Sequence, residues 1–178
     1  MKHVGYIFLS IVIFLMASCT QKVKRAEMVS APEIPSDWLL LEEDSYLICY
    51  PPGWDLRKDV PDALFCLLSG QSSPEDLFRD NVNLVMESLP EEMTTDRYVG
   101  LSIKKMGNKY KVTEEKKYVI NGQEYYHLDL TGDDNLCLNM NVFMKNKRAY
   151  ILTFTYESKE SGKIKNEGDK IIKSFRIK

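Results

Sequence analysis

NGQEYYHLDLTGDDNLCLNMNVFMKNKRAYILTFTY, running from Asn121 to Tyr156, is the stretch that decides the fold. Asn121-Gly122 is the dipeptide best suited to a two-residue hairpin turn, where both central residues need φ > 0. Alternation follows: Tyr126, Leu128 and Leu130 take one face, Tyr125, His127 and Asp129 the other. Thr131-Gly132-Asp133-Asp134-Asn135 has turn chemistry. Leu136, Leu138, Met140, Val142 and Met144 then recur at period two, with Cys137, Asn139 and Asn141 between them. Lys145-Asn146-Lys147 turns the chain into Tyr150, Leu152, Phe154 and Tyr156. Three successive runs at period two predict a half-buried antiparallel meander.

A one-residue slip moves a strand's whole apolar set to the other face. The register that keeps apolar residues together pairs Val142 with Tyr150, Met140 with Leu152 and Leu138 with Phe154. It requires a three-residue turn, Lys145-Asn146-Lys147, with a bulge. A two-residue turn at Asn146-Lys147 would instead set Met140 opposite Thr153 and Leu138 opposite Thr155. On the first register, with Leu128 opposite Leu138, one core face holds Tyr126, Leu128, Leu138, Met140, Leu152 and Phe154 against two helices. The other face gathers Tyr125, His127, Asn139, Asn141, Thr153 and Thr155. Amides and hydroxyls are costly to bury without partners. Part of that polar face is therefore expected to stay open, as a surface for a protein partner with Tyr125 as aromatic anchor.

The rest of the chain fits around the meander. Ser45 to Tyr50 reads as a strand ended by Pro51-Pro52-Gly53, and Trp54 after the bend reads as a core plug. Asp37 to Glu43 is a helical turn or an edge segment. Ala63 to Leu68 reads as a short buried strand, and Val82, Leu84 and Met86 alternate in another. Thr94 or Thr95 caps a helix carrying Val99, Ile103 and Met106, which Gly107 stops. Tyr110 to Ile120 is charged enough to suit a sheet edge. Ile164, Ile171, Ile172 and Phe175 mark a last amphipathic helix, and Arg176-Ile177-Lys178 offers one more edge pairing. The fold class is α+β, a mainly antiparallel sheet packed with helices in a single domain.

The N-terminus has the parts of an export signal: Lys2, an apolar run from Val4 to Ala17, then Met16-Ala17-Ser18-Cys19. The run is shorter than the roughly 20 residues of a membrane-spanning helix. Leu15 to Cys19 resembles the bacterial lipobox, which implies acylation of Cys19. The expected organisation is a lipoprotein signal peptide over 1–18, a tether over 19–36 and a domain over 37–178. Acyl chains would attach the protein to a membrane of the cell envelope. Gln21-Lys22-Val23-Lys24 lacks the acids that resemble a surface-export signal, so the periplasmic side of the outer membrane is expected.

The 178 residues carry a net charge of −2 and are 44% hydrophobic, with no basic surplus for nucleic acid. Losing the signal removes one lysine and no acid, which leaves −3. Cys49, Cys66 and Cys137 lack paired spacing, and the expectation is inert thiols, with a Cys49–Cys66 bridge as the alternative. His127 is the only histidine outside the signal, which rules out a cluster of histidines. Asp133-Asp134 offers too few oxygens for calcium. No phosphate loop or nucleophile motif is present. No metal, cofactor or catalytic site is expected; an enzyme would have to use His127 with Asp129 or a nearby hydroxyl.

Four segments together resemble one family. Tyr46-Leu47-Ile48-Cys49-Tyr50-Pro51-Pro52-Gly53-Trp54 resembles the opening of PsbP-like domains, and Phe78-Arg79-Asp80-Asn81-Val82-Asn83-Leu84 their strand entry. Tyr98 to Lys105 sits where their first long helix sits, and Ile171 to Ile177 resembles their closing helix and strand. The resemblance implies an antiparallel sheet sandwiched between helices. It also implies a non-catalytic docking, assembly or chaperone role, often tethered to a membrane. None of the metal-binding or docking residues of the photosynthetic member has a matching motif. The alternative function is carriage of a small hydrophobic ligand in a pocket between sheet and helix.

Overall fold

The computed structural model of the chain describes residues 25–71, 78–132, 135–159 and 162–178. In chain order the elements are β1 (Glu27–Met28), β2 (Leu39–Glu42), β3 (Tyr46–Tyr50), β4 (Asp55–Arg57), β5 (Phe65–Leu68), β6 (Asn81–Ser88), α1 (Thr95–Met106), β7 (Tyr110–Ile120), β8 (Gln123–Gly132), β9 (Leu136–Lys145), β10 (Arg148–Glu157), α2 (Gly162–Ser174) and β11 (Arg176–Ile177). One sheet runs β1-β7-β8-β9-β10-β6-β5-β4, and β11-β3-β2 form a smaller one. Among the described residues, only the two-residue contact of β1 with β7 is parallel.

Both faces of the large sheet are covered, each by its own core. On one face Tyr126, Leu128, Leu130, Val142 and Ala149 pack with Tyr98 and Val99 of α1. On the other, Tyr125, Phe143, Tyr150, Leu152 and Phe154 pack with Ile171 and Ile172 of α2, and with Tyr46, Ile48 and Tyr50 of the small sheet. The helices start and stop where local chemistry dictates. Thr94 caps α1 by accepting from the Arg97 amide at 3.3 Å, and Gly107 leaves it with φ of 60°. Ser174 ties the end of α2 to β3: its Oγ accepts from the Cys49 amide at 2.9 Å and donates to the Ile171 carbonyl at 2.7 Å. Trp54 is the core plug expected, its indole N–H donating to Glu167 of α2 at 3.0 Å. Gly168 of α2 lies directly on the Phe154 ring, with no room for a Cβ between them.

Two registers differ from expectation. Asn146 and Lys147 form a two-residue turn with φ of 52° and 58°, so Met140 pairs with Thr153, Leu138 with Thr155, Asn141 with Leu152 and Asn139 with Phe154. The expected register assumed one buried face. With both faces buried, β9 turns Leu138, Met140 and Val142 toward α1 while β10 turns Leu152 and Phe154 toward α2. The primed turn also suits the sheet's twist better than a bulged one. Between β8 and β9 the pairs are Leu128 with Met140 and Leu130 with Leu138, two residues from expectation but with the same parity. Thr131 and Gly132, read as turn, extend β8 instead. The six expected core residues therefore divide, Tyr126, Leu128, Leu138 and Met140 on the α1 side and Leu152 and Phe154 on the α2 side.

The tether is also revised. Within 19–36, Glu27 and Met28 pair with Tyr118 and Val119, and the Val29 amide donates to the Val119 carbonyl at 3.0 Å. The unpaired groups of the edge strand β7 attract this segment. The signal over 1–18, Cys19 and Thr20 to Lys24 lie outside the described residues, as do Asp133 and Asp134. Asp37 to Glu43 supplies an edge strand, β2, with Leu39 and Leu40 exposed. Cys49, Cys66 and Cys137 are free thiols, so the bridge weighed between Cys49 and Cys66 is absent.

Candidate functional site

The six residues expected to share an open polar face do not share a face. Tyr125, His127, Asn139 and Asn141 point to the α2 side, Thr153 and Thr155 to the α1 side. Tyr125 and Asn141 are fully buried and His127 is 4% exposed, so Tyr125 anchors nothing outside the molecule. Its hydroxyl donates to the Phe175 carbonyl at 2.6 Å, and burial pushes its pKa up to about 12. The polar groups are satisfied internally. Asn141 Oδ1 accepts from the Tyr118 hydroxyl at 2.8 Å and lies 3.2 Å from His127 Nδ1, while Asn141 Nδ2 donates to Asn139 Oδ1 at 2.7 Å. With its amide nitrogen committed to Asn139, Asn141 offers His127 only an acceptor, so Nδ1 carries a proton.

The other ring nitrogen looks into a cavity of about 260 Å³ lined by Glu27, Lys116, Asp129, Asn139, Asp169 and Lys173. His127 Nε2 lies 3.3 Å from Asp129 Oδ2 and 3.9 Å from Glu114 Oε2. The three ligand atoms all fall within 4.8 Å of one another. His127 and Asp129 share a face because they are two apart on β8; Glu114 is there because β7 is bulged. Val112 pairs with Leu130, but Glu114 pairs with Asp129, so one residue has been inserted between them. Without that insertion Glu114 would lie opposite Leu128 and point toward α1. Burial pushes the Asp129 carboxyl up, but the hydrogen bond and charge of His127, with further help from Lys116, outweigh it and hold the group below its usual range.

Sequence reasoning missed Glu114, which read as one of four charges on an edge strand. A signal was present in the even positions of β7, where apolar Tyr110 and Val112 give way to Glu114 and Lys116 before Tyr118 and Ile120. That interruption marks the change of face.

A second feature lies across the sheet. Between α1 and strands β6, β9 and β10 runs a groove of about 710 Å³, floored by Val85, Met140, Val142 and Ile151. Met93 and Leu101 add apolar wall, and Lys105 and Lys109 sit on its rim. Tyr98 donates to Glu87 at 2.7 Å within it, and burial, then that hydrogen bond, raises the phenol's pKa. The size is that of a site for a small organic ligand.

A mainly antiparallel sheet between an α1 layer and a layer of α2 with a small sheet defines a PsbP-like α+β fold. The chain is similar to the solution structure of cyanobacterial PsbP (CyanoP) from Synechocystis sp. PCC 6803, with TM-score 0.59 and 15% identity over 82% of this chain and 95% of that one. It is also similar to LpqN of Mycobacterium tuberculosis, a protein described as involved in cell envelope biogenesis. There the TM-score is 0.56 and the identity 10%, over 79% of this chain and 90% of LpqN. No family model and no curated protein matches the chain.

Proposed function

We propose that the protein is a non-catalytic accessory protein of the cell envelope, held to the periplasmic side of the outer membrane by acylated Cys19 and acting by binding. The N-terminal run ending at Cys19 supports the anchor, and the likeness to LpqN supports the envelope. The groove beneath α1 carries the binding part. Its apolar floor and the rim lysines Lys105 and Lys109 suit an amphiphile with one acyl-like chain and an anionic head. This is the carrier alternative among the sequence's expectations, and the groove is the observation that favours it.

The test is displacement of a fluorescent fatty acid from the purified full-length chain. Ser102→Trp should fill the groove from α1 and weaken binding, with the circular dichroism unchanged. Lys105→Glu with Lys109→Glu should weaken a fatty acid more than the matching alcohol. Equal binding by wild type and Ser102→Trp would place the ligand elsewhere. Metabolic labelling with a fatty-acid analogue tests the anchor: it should mark wild type and spare Cys19→Ala.

A protein partner is the second reading, and a different observation favours it. Among the described residues β2 is an edge of the small sheet, with Leu39 44% and Leu40 55% exposed, the kind of edge a partner strand extends. Crosslinked capture from membranes, compared between wild type and Leu40→Lys, separates it from the carrier reading.

A further inference from the structure

We infer that Glu114, His127 and Asp129 form a binding site for one divalent transition-metal ion of the zinc class. The donor set is one imidazole nitrogen and two carboxylates, which zinc accepts with a water completing four ligands. Ligand atoms around a tetrahedral ion at bonds of about 2.0 Å lie about 3.3 Å apart. His127 Nε2 and Asp129 Oδ2 already stand at 3.3 Å. Glu114 Oε2, at 3.9 Å from the same nitrogen, needs only a small rotation of a side chain that is half in solvent.

Three further features point the same way. His127 is nearly buried, and its Nδ1 proton is spent on Asn141, which is itself held by Tyr118 and Asn139. A metal-binding histidine is oriented in this manner, its second nitrogen anchored and Nε2 left toward the ion. Next, the β-bulge between Val112 and Glu114, which turns Tyr110 and Val112 to the α1 core and Tyr118 and Ile120 to the α2 core, also delivers Glu114 to the side of the sheet that holds His127 and Asp129. Finally, the cavity is rich in acid. Glu27, Asp129 and Asp169 line it against Lys116 and Lys173, and Glu114 brings an oxygen within 4.8 Å of the His127 and Asp129 ligand atoms. Lys173 is paired with Asp169 at 2.7 Å, Lys116 with Glu114 at 2.9 Å and Asp129 with His127 at 3.3 Å, so an ion on His127 Nε2 would take over the counter-charge that the imidazole gives Asp129. Lys116 is the internal competitor, since its ammonium occupies the oxygen that an ion would take.

The experiment is calorimetric titration of the detergent-solubilised full-length chain with zinc chloride in a non-chelating buffer, with manganese chloride in parallel. Wild type should take up one zinc ion per chain, more tightly than manganese. Glu114→Gln and Asp129→Asn, both close in shape to the originals, should each weaken uptake by about tenfold or more while the fold is retained. Lys116→Met should strengthen it by freeing Glu114. Absence of uptake by wild type would make the cluster an imidazolium–carboxylate ion pair and overturn the inference. So would uptake unchanged in both carboxylate variants, or a preference for manganese.

Discussion

Gly168 should resist replacement by alanine, against the usual preference of helices. In an ordinary helix interior the change gains about 1 kcal/mol, because glycine loses more backbone freedom on folding. Here a Cβ would lie 2.3 Å from Cε1 of Phe154, 2.5 Å from Cζ and 2.6 Å from Cδ1. Carbon atoms in contact prefer about 3.5–4.0 Å, so the ring would have to retreat by more than about 1 Å. It has nowhere to go. Phe154 is 2% exposed, stacked at 4.7 Å on Tyr156 and set 6.4 Å from Trp54. Overpacking of this kind costs about 1–3 kcal/mol, and three close carbons put the case at the upper end. Subtracting the helix gain leaves a loss of about 2 kcal/mol, or a fall in Tm of about 4–8 °C for a chain of this size. Urea unfolding of Gly168→Ala measures it. A cycle with Phe154→Leu should recover about 1 kcal/mol or more, because the smaller side chain yields to the methyl group. A rise in the urea midpoint for Gly168→Ala would show that α2 does not sit on Phe154 in this way.

Lys147 holds a positive φ in the β9–β10 turn, so Lys147→Gly should stabilise the protein by about 0.5–1 kcal/mol in the same assay; destabilisation would favour the three-residue turn instead. Asn141→Leu keeps the volume but strands the Tyr118 hydroxyl and the His127 Nδ1 proton, and should cost about 2–4 kcal/mol. Tyr46, Tyr125 and Tyr156 are pushed by burial from 10.0 up to about 12. The unfolded chain therefore gives up these protons first, and stability should fall as the pH rises from 10 through 12. Unfolding midpoints taken along that range, with the phenolate absorbance, follow the loss directly.

Local chemistry announced most of the fold. Asn121-Gly122, Thr94, Gly107, Pro51-Pro52-Gly53 and the stripe ending at Phe175 each fix a turn, a cap or a face through contacts within a few residues, and each stands where the sequence puts it. What local chemistry could not carry was how many faces of the sheet are dry. Asn139 and Asn141 read as a wet surface because an amide is costly to bury alone. Asn141 is instead fully buried and Asn139 half-buried against it, with Tyr118 and His127 as partners brought from two other strands. The β9–β10 register was missed for the same reason, since matching apolar residues across strands is right only where one side is solvent. The metal-ligand cluster was hidden differently: a single inserted residue in β7 reverses the direction of Glu114 and leaves no mark on the spacing of His127 and Asp129. The short strands β1 and β4 carry too few residues for any periodicity to show.

The parallel pairing of β1 with β7 decides how such a protein would stand at a bilayer. With Cys19 acylated as proposed, only the stretch from Cys19 to Glu27 separates the lipid from the rim of the sheet, a contour of about 25–30 Å at full extension. The molecule would be moored by its flank rather than flown from a long string. The rim carrying β1, and the cavity that Glu27 helps to line, would ride close to the headgroups beside Lys22, Lys24 and Arg25, while β4 at the opposite rim would face away. Reach into the periplasm would then be set by the residues ahead of Glu27, and inserting a flexible stretch there would lengthen it without altering the domain.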